Sequence, residues 1–219
     1  MASYDRFHEK GDRIYRVVSQ YQYLDRMDNS RYASSSPMAG KEIKETMPGI
    51  EAATLLYGSS NSDIKATDKT VPLSGLYANE AFFEVFSFQL LEGNVSTALK
   101  APFSMVLTET AAKKLFGAES ALGKIVTQAE KEYTITGVVK DVPKFSHIKF
   151  EMLMSLSTRE ITEHERWDKE MKWDNIWSGY TYILLSKDTD LENIQANLNI
   201  LAEKNDETVE NTKIKLSLQ

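Results

Sequence analysis

Residues Arg13 to Leu24 alternate along the chain. Tyr15, Val17, Ser19, Tyr21 and Tyr23 share one parity, while Ile14, Arg16, Val18, Gln20, Gln22 and Leu24 share the other. Opposite parities of a strand face opposite ways, so this Tyr- and Val-rich run predicts one long strand. A polar loop over 25–35 follows, and the period then lengthens. In "SPMAGKEIKETMPG", Ser36 stands as the N-cap and Pro37 at the first helical position, where its missing N–H does no harm. Ala39, Ile43 and Met47 form one stripe, which Pro48-Gly49 ends. "IEAATLLYG" and "TVPLSGLYA" read as two further strands, with the turn-rich "SSNSDIKATDK" between them leaving room for a short one.

The texture changes at Asn79. "NEAFFEVFSFQLLEGN" crowds Phe82, Phe83, Phe86 and Phe88 into a span too aromatic for a surface, which predicts a short helix leading into a buried strand. "FSMVLTETAAKKLFG" predicts a strand and then a helix, with Thr108 as N-cap, Glu109 at the positive end of the helix dipole, Lys113 and Lys114 at the negative end and Gly117 as the stop. "GKIVTQAEKEYTITGVVKDVP" alternates as a hairpin turning between Gln128 and Lys131, and "SHIKFEMLMSL" adds a strand. From Thr158 the spacing of Ile161, His164, Trp167 and Met171 predicts one charged amphipathic helix, followed by the strand "WSGYTYILL". Asp190 then caps a helix striped by Leu191, Ile194, Leu198 and Leu201, and "TKIKLSLQ" alternates as a last strand. The expected order is β, α, β near each end of the chain, with a separate α and β module between.

Composition narrows the function. A chain of 219 residues, 42% hydrophobic and 26% charged, suits one large or two small domains. The net charge is -6 and the basic residues are scattered among acidic ones, which argues against a surface that tracks nucleic-acid phosphates. Cysteine is absent, so disulfides, thiolate nucleophiles and Cys-based zinc sites are excluded. No window approaches the ~20 apolar residues needed to cross a bilayer. The first thirteen residues mix Arg6, His8, Lys10 and Arg13 with Asp5, Glu9 and Asp12 and lack the apolar block of a secretory signal. Met1-Ala2 reads as an initiator in front of an excerpt from something longer.

The motifs that invite a catalytic reading fail it. "GAESALGK" resembles a phosphate-binding loop, but five residues separate Gly117 from Gly123 where four are required, and Ile125 stands where Ser or Thr must reach magnesium. The segment also follows a helix instead of opening one, so a helix stop and a turn is the better reading. His8-Glu9 and His164-Glu165 each begin a zinc-protease pattern, yet Asp12 and Asp168 occupy the second histidine's place. With His147 these are all the histidines, drawn from three distant segments. No "G-x-S-x-G" anchors a serine nucleophile. Glu160, Glu163, Glu165, Asp168 and Glu170 read as a solvated helix face paired with Arg166, Lys169 and Lys172. Trp167, Trp173 and Trp177 suit a ligand groove, or equally a core closed beside Tyr180 and Tyr182. No catalytic, cofactor-binding or metal-ligating residue emerges, and no binding residue can be named.

Five stretches, in order, carry a family resemblance: "SYDRFHEKGDRIYRV" (3–17), "YANEAFFEVFSFQLLEGN" (77–94), "SMVLTETAAKKLFGAESALGKIV" (104–126), "YTITGVVKDVPKFSHIKFEMLMSL" (133–156) and the run from Trp177 to Leu185. They cover well over half the chain. They are similar to the segment after the first membrane helix in MacB/FtsX-like ABC transporter permeases, especially those of Bacteroidetes. The resemblance implies a periplasmic domain of an inner-membrane protein, inserted between the first and second of four membrane helices. It also implies an α+β fold of two lobes: a porter-like βαβ lobe made from both chain ends (1–78 and 158–219) and an inserted Sabre-like lobe (79–157). Tyr4 to Asp12 would rise from the bilayer as a stalk, and both ends would lie at one pole.

The implied function is coupling of cytoplasmic ATP hydrolysis to periplasmic movement and efflux of a substrate, with no enzymatic activity and no cofactor. The implied partners are a second permease copy forming a dimer, a cytoplasmic ABC ATPase and, as in close relatives of MacB, a periplasmic adaptor and an outer-membrane channel; nucleic acid is not among them. Rival readings are a lipoprotein-releasing or cell-wall-hydrolase-regulating FtsX-like permease domain, a free periplasmic ligand-sensing module with one deep polar pocket, and a hydrolase with a water-excluded titratable cluster.

Overall fold

The computed structural model describes residues 5–25, 29–205 and 212–219. A single 3-10 turn (Gly11–Arg13) precedes β1 (Ile14–Tyr23) and β2 (Asn29–Tyr32). Then come α1 (Pro37–Thr46), β3 (Ile50–Ala66), β4 (Lys69–Ala78), α2 (Phe82–Val85), β5 (Leu90–Gly93), β6 (Ser104–Thr108) and α3 (Glu109–Phe116). The chain continues through β7 (Ile125–Gln128), β8 (Lys131–Val139), β9 (Met152–Ser155), α4 (Leu156–Thr162), α5 (His164–Glu170), β10 (Gly179–Leu185), α6 (Leu191–Asn205) and β11 (Thr212–Leu218). The fold is mixed α+β. Two compact units divide the chain, one holding 5–11 and 57–163, the other 12–56 and 164–219. The divisions thus fall at 11/12, 56/57 and 163/164.

In the unit of 12–56 and 164–219, β1 is central. It pairs antiparallel with β11 along one side, from Val17↔Leu218 to Tyr23↔Thr212. Its other side is shared end to end by β10, from Ile14↔Leu184 to Val17↔Thr181, and β2, from Ser19↔Tyr32 to Gln22↔Asn29. Period-2 alternation sends Val17, Ile183, Ile214 and Leu216 to one face, where Ala39 and Ile43 of α1 and Ile194, Leu198 and Leu201 of α6 cover them. Each fully buried aliphatic side chain of this kind contributes about 1.5–3 kcal/mol. The cap of α1 is as its sequence requires, since Ser36 Oγ accepts from Met38 N at 3.1 Å. A Cβ on Gly40 would stand 2.9 Å from Thr181 Oγ1, so the lack of a side chain is what lets α1 lie against β10.

In the unit of 5–11 and 57–163, six strands close on themselves in the order β3, β4, β9, β6, β8, β7 and back to β3. The last link is the Lys65↔Thr127 pair. β4 with β9 and β6 with β8 are parallel, while β6 with β9 and β7 with β8 are antiparallel. Closure leaves the ring strands no open edge against each other. Its core holds Ile64, Leu73, Met105, Leu107, Ile135, Met152 and Met154, and Ala111, Ala112 and Leu115 of α3 pack onto it. Thr108 Oγ1 accepts from Ala111 N, and Gly117 ends α3 at φ 66°. The β7–β8 hairpin turns at Ala129 and Glu130, both left-handed (φ 48° and 64°), as a two-residue primed turn demands.

Two expectations change. "SSNSDIKA" belongs to β3: Asn61, Asp63 and Lys65 are exposed on one parity, while Ile64 and Ala66 are buried on the other. The single helix expected after Thr158 is two, α4 and α5. Glu163 leaves helical geometry at φ -129°, ψ 37°, where the chain passes from one unit to the other. The stripe also differs from the expected one: Trp167 is buried, but Ile161 is 60% exposed.

Candidate functional site: the terminal strands and the N-terminal strap

The residues that invited catalytic readings are committed elsewhere. Gly117 is the C-cap of α3, and Lys124 is held by Glu119 and lies 4.8 Å from the centroid of the Phe116 ring, so "GAESALGK" is a helix stop and turn. The carboxylate run pairs along its helices: Arg159 with Glu163 at 3.2 Å and Arg166 with Glu170 at 2.8 Å. His164 sits 3.6 Å from Asp168. Among the described residues no group of three or more His, Asp or Glu is placed to hold a metal ion. The tryptophans divide: Trp167 and Trp173 are buried, while Trp177 is 55% exposed and joins Tyr21 and Tyr32 in ring contacts of 5.8 and 6.1 Å.

Residues 5–11, within the Tyr4 to Asp12 segment expected to be a stalk rising from the bilayer, form a strap packed on the six-stranded unit; Tyr4 lies outside the described residues. Glu9 N donates to Ser87 Oγ at 2.9 Å, Asp5 N to Phe145 O at 2.9 Å, and the Asp5 carboxylate meets the His147 ring. The cause is an aromatic cluster. Phe82, Phe86, Phe88 and Phe150 pack together, and Phe7 and His8 complete it, with ring centroids 5.3 Å (Phe7–Phe88) and 5.2 Å (His8–Phe86) apart. His8 Nδ1 accepts from Ser87 N at 3.1 Å, which places the ring proton on Nε2. Burial lowers the His8 pKa to about 4, with Asp5 raising it and His147 lowering it further. The hint in the sequence was Phe7 beside a histidine, but nothing local shows that their partners lie 79 residues away.

The terminal strands form the second feature. Arg16 and Gln219 exchange both backbone bonds at 2.9 Å, so β1 begins beside the point where β11 ends. Arg13 anchors this entrance by donating to Glu51 Oε2 at 2.7 Å and Leu185 O at 2.6 Å. On the outward face, the register places Arg31, Gln20 and Lys215 in one row across β2, β1 and β11, with Val18 and Ser217, then Arg16 and Gln219, in the rows beside it. A hollow of about 610 Å³ lies over these residues and is also lined by Gln195 and Asn199 of α6.

Among the comparisons, the family model for the MacB-like periplasmic core domain matches residues 1–201. No match is found among curated proteins. Three solved structures share the fold. A domain described as a permease of Porphyromonas gingivalis superposes with a TM-score of 0.80 at 24% identity, covering 98% of this chain and 92% of that one. The periplasmic region of MacB from Actinobacillus actinomycetemcomitans gives 0.61 at 18% identity, covering 90% and 87%. The extracellular domain of the noncanonical ABC-type transporter YknZ from Gram-positive bacteria gives 0.58 at 13% identity, covering 90% and 98%. The match extends through the strap, β1 and β10 into α6, and with it the chain belongs to the MacB-like periplasmic core domain family, a non-catalytic family of ABC transporter permease domains.

Proposed function

We propose that this domain transmits force. In the intact permease, ATP binding and hydrolysis at a cytoplasmic ATPase move it, and its motion expels a substrate on the far side of the inner membrane. The observation that carries this reading is the pairing of β1 with β11 through seven consecutive residue pairs. A strand that follows one membrane helix and a strand that precedes the next are then fastened side by side, so displacement of either helix reaches the same sheet. Such work needs a stiff sheet anchored at its entrance, which Arg13 supplies through Glu51 and Leu185, and it needs no reactive side chains.

On this reading the unit of 12–56 and 164–219 is the porter-like lobe, and the unit with the closed ring is the Sabre-like inserted lobe. The working assembly is a dimer of permeases with its ATPases, facing the periplasm. The likeness to the MacB periplasmic region favours an adaptor and an outer-membrane channel as further partners. The test is a pair of short flexible Gly-Ser inserts in the full-length permease, one between Asp12 and Arg13 and one directly after Gln219. ATP hydrolysis should persist, while the ATP-dependent change in distance between spin labels on the two extracytoplasmic domains should vanish. An unaltered distance change would refute force transmission through β1 and β11.

A further inference from the structure

The outward face of β1, β2 and β11 is electrostatically out of keeping with the chain. The whole carries a net charge of -6, yet the hollow of about 610 Å³ on this face is lined by Arg16, Arg31 and Lys215 and by no carboxylate side chain. Among the described residues neither Arg31 nor Lys215 forms an ion pair, and Arg16 Nε is buried with no hydrogen-bond partner. Arg16 spends a terminal nitrogen on the Gln219 side chain. Strand register explains the convergence: Gln20 is the partner of both Arg31 and Lys215, so two cations flank one neutral amide within about 5 Å of Cβ spacing on each side. The two cations therefore stand two strand spacings, about 10 Å, apart, wide enough for an oxyanion head to lie over Gln20 between them. An adjoining hollow of about 510 Å³ shares Asn199 and Lys215 and adds Lys213 and Glu203.

The size and lining select the ligand class. The volume lies in the range of organic ligands and is far larger than one phosphate. Val18 and Ala33 share the floor with the cations, giving an apolar strip beside the charged row. We propose that this face binds an amphiphilic organic oxyanion. The anionic head sits between Arg31 and Lys215 with Arg16 at its flank, accepting charge-assisted hydrogen bonds, and the apolar body lies over Val18 and Ala33. The proposal does not depend on force transmission, since the site is complete within one unit. The same chemistry occurs in a soluble organophosphate and in the headgroup of an anionic lipid.

Octyl phosphate, inorganic phosphate and octylammonium are titrated into the isotopically labelled chain, with backbone amide shifts as the readout. A parallel arm measures co-sedimentation with phosphatidylglycerol vesicles. Octyl phosphate should give saturable shifts confined to residues of β1, β2 and β11, inorganic phosphate should bind more weakly, and octylammonium should leave the face unmoved. Arg31→Glu with Lys215→Glu should weaken binding about tenfold or more, with the rest of the amide spectrum unchanged as evidence of folding. Raising salt to 0.5 M should weaken it as well. Vesicle binding that the same double variant abolishes would assign a lipid source, and octyl phosphate binding without it a soluble one. Absence of both, equal binding of octylammonium, or full binding by the charge-reversed variant overturns the proposal.

Discussion

His8 shows what one side chain does when its chemistry and its place disagree. Its ring is 8% exposed among Phe7, Phe86 and Phe88, and its Nδ1 accepts from Ser87 N. Burial penalises the charged ring and holds the pKa at about 4, and protonation would also turn that acceptor into a donor facing a donor. The unfolded chain takes up the proton below its ordinary value of 6.5, and the folded chain only near 4. The unfolded state therefore binds more protons across that window. The stabilisation is complete above pH 6.5 and is lost as pH falls toward 4. Urea unfolding of the native chain and of His8→Phe at pH 7 and pH 5 should show the native chain losing on the order of 2 kcal/mol more than the variant. Equal losses would mean that His8 is not held neutral. Residue-level signals of local structure were legible in the sequence: Ser36 and Thr108 cap the helices they were read to cap, and Gly117 stops α3. The burial of His8 was not, because its partners Ser87 and Phe86 come from a segment nearly eighty positions on and no period of one segment reports a contact with another.

Among elements, the strongest constraint is the closed ring, in which each strand's place is fixed by two neighbours. β4 and β9 run parallel with Gly75 opposite Met152. A Cβ built on Gly75 would stand 2.4 Å from Met152 Cγ and 2.8 Å from its carbonyl oxygen. The side chain can turn away, but the carbonyl belongs to the ladder. Gly75→Ala should therefore cost about 3 kcal/mol in urea unfolding, since overpacking a closed sheet moves more than one strand. A loss under about 0.5 kcal/mol would show that the ring gives way locally. Hairpin β7–β8, α1, α3 and α6 were legible because each carries its own period and its own punctuation. The far half of β3 was not, because Ser59 to Asp63 read as a turn by composition, and only the alternation of exposed Asn61, Asp63 and Lys65 with buried Ile64 and Ala66 shows the strand running on. The break between α4 and α5 was hidden for a related reason. The helical period runs through Glu163, and the end of one packed unit and the start of the next has no mark in local spacing.

For the molecule as a whole, the sequence revealed the family before it revealed a site, because motif order survives where side-chain chemistry is diffuse. The cation-lined face illustrates the limit. Arg31, Gln20 and Lys215 are far apart in sequence and meet only when three strands find their register. No helix among the described residues is long and apolar enough to cross a membrane. In the proposed dimer the permease's membrane helices and ATPases would raise the effective concentration of one domain beside the other into about the millimolar range. Without them, the chain at about 50 μM should sediment as a monomer, and two copies joined by a flexible linker should gain a concentration-independent dimer contact. A stable dimer of the separate chain would show that this domain alone supplies the association. The strap has a further consequence in time. Asp5 binds His147, 142 positions downstream, and Glu9 binds Ser87, 78 positions downstream. At roughly 5–20 residues per second of synthesis, the earlier segment waits on the order of ten seconds before the ribosome has made its partners. Throughout that interval Phe7 is an apolar side chain without a socket, and a chaperone would have the most reason to hold the nascent chain there.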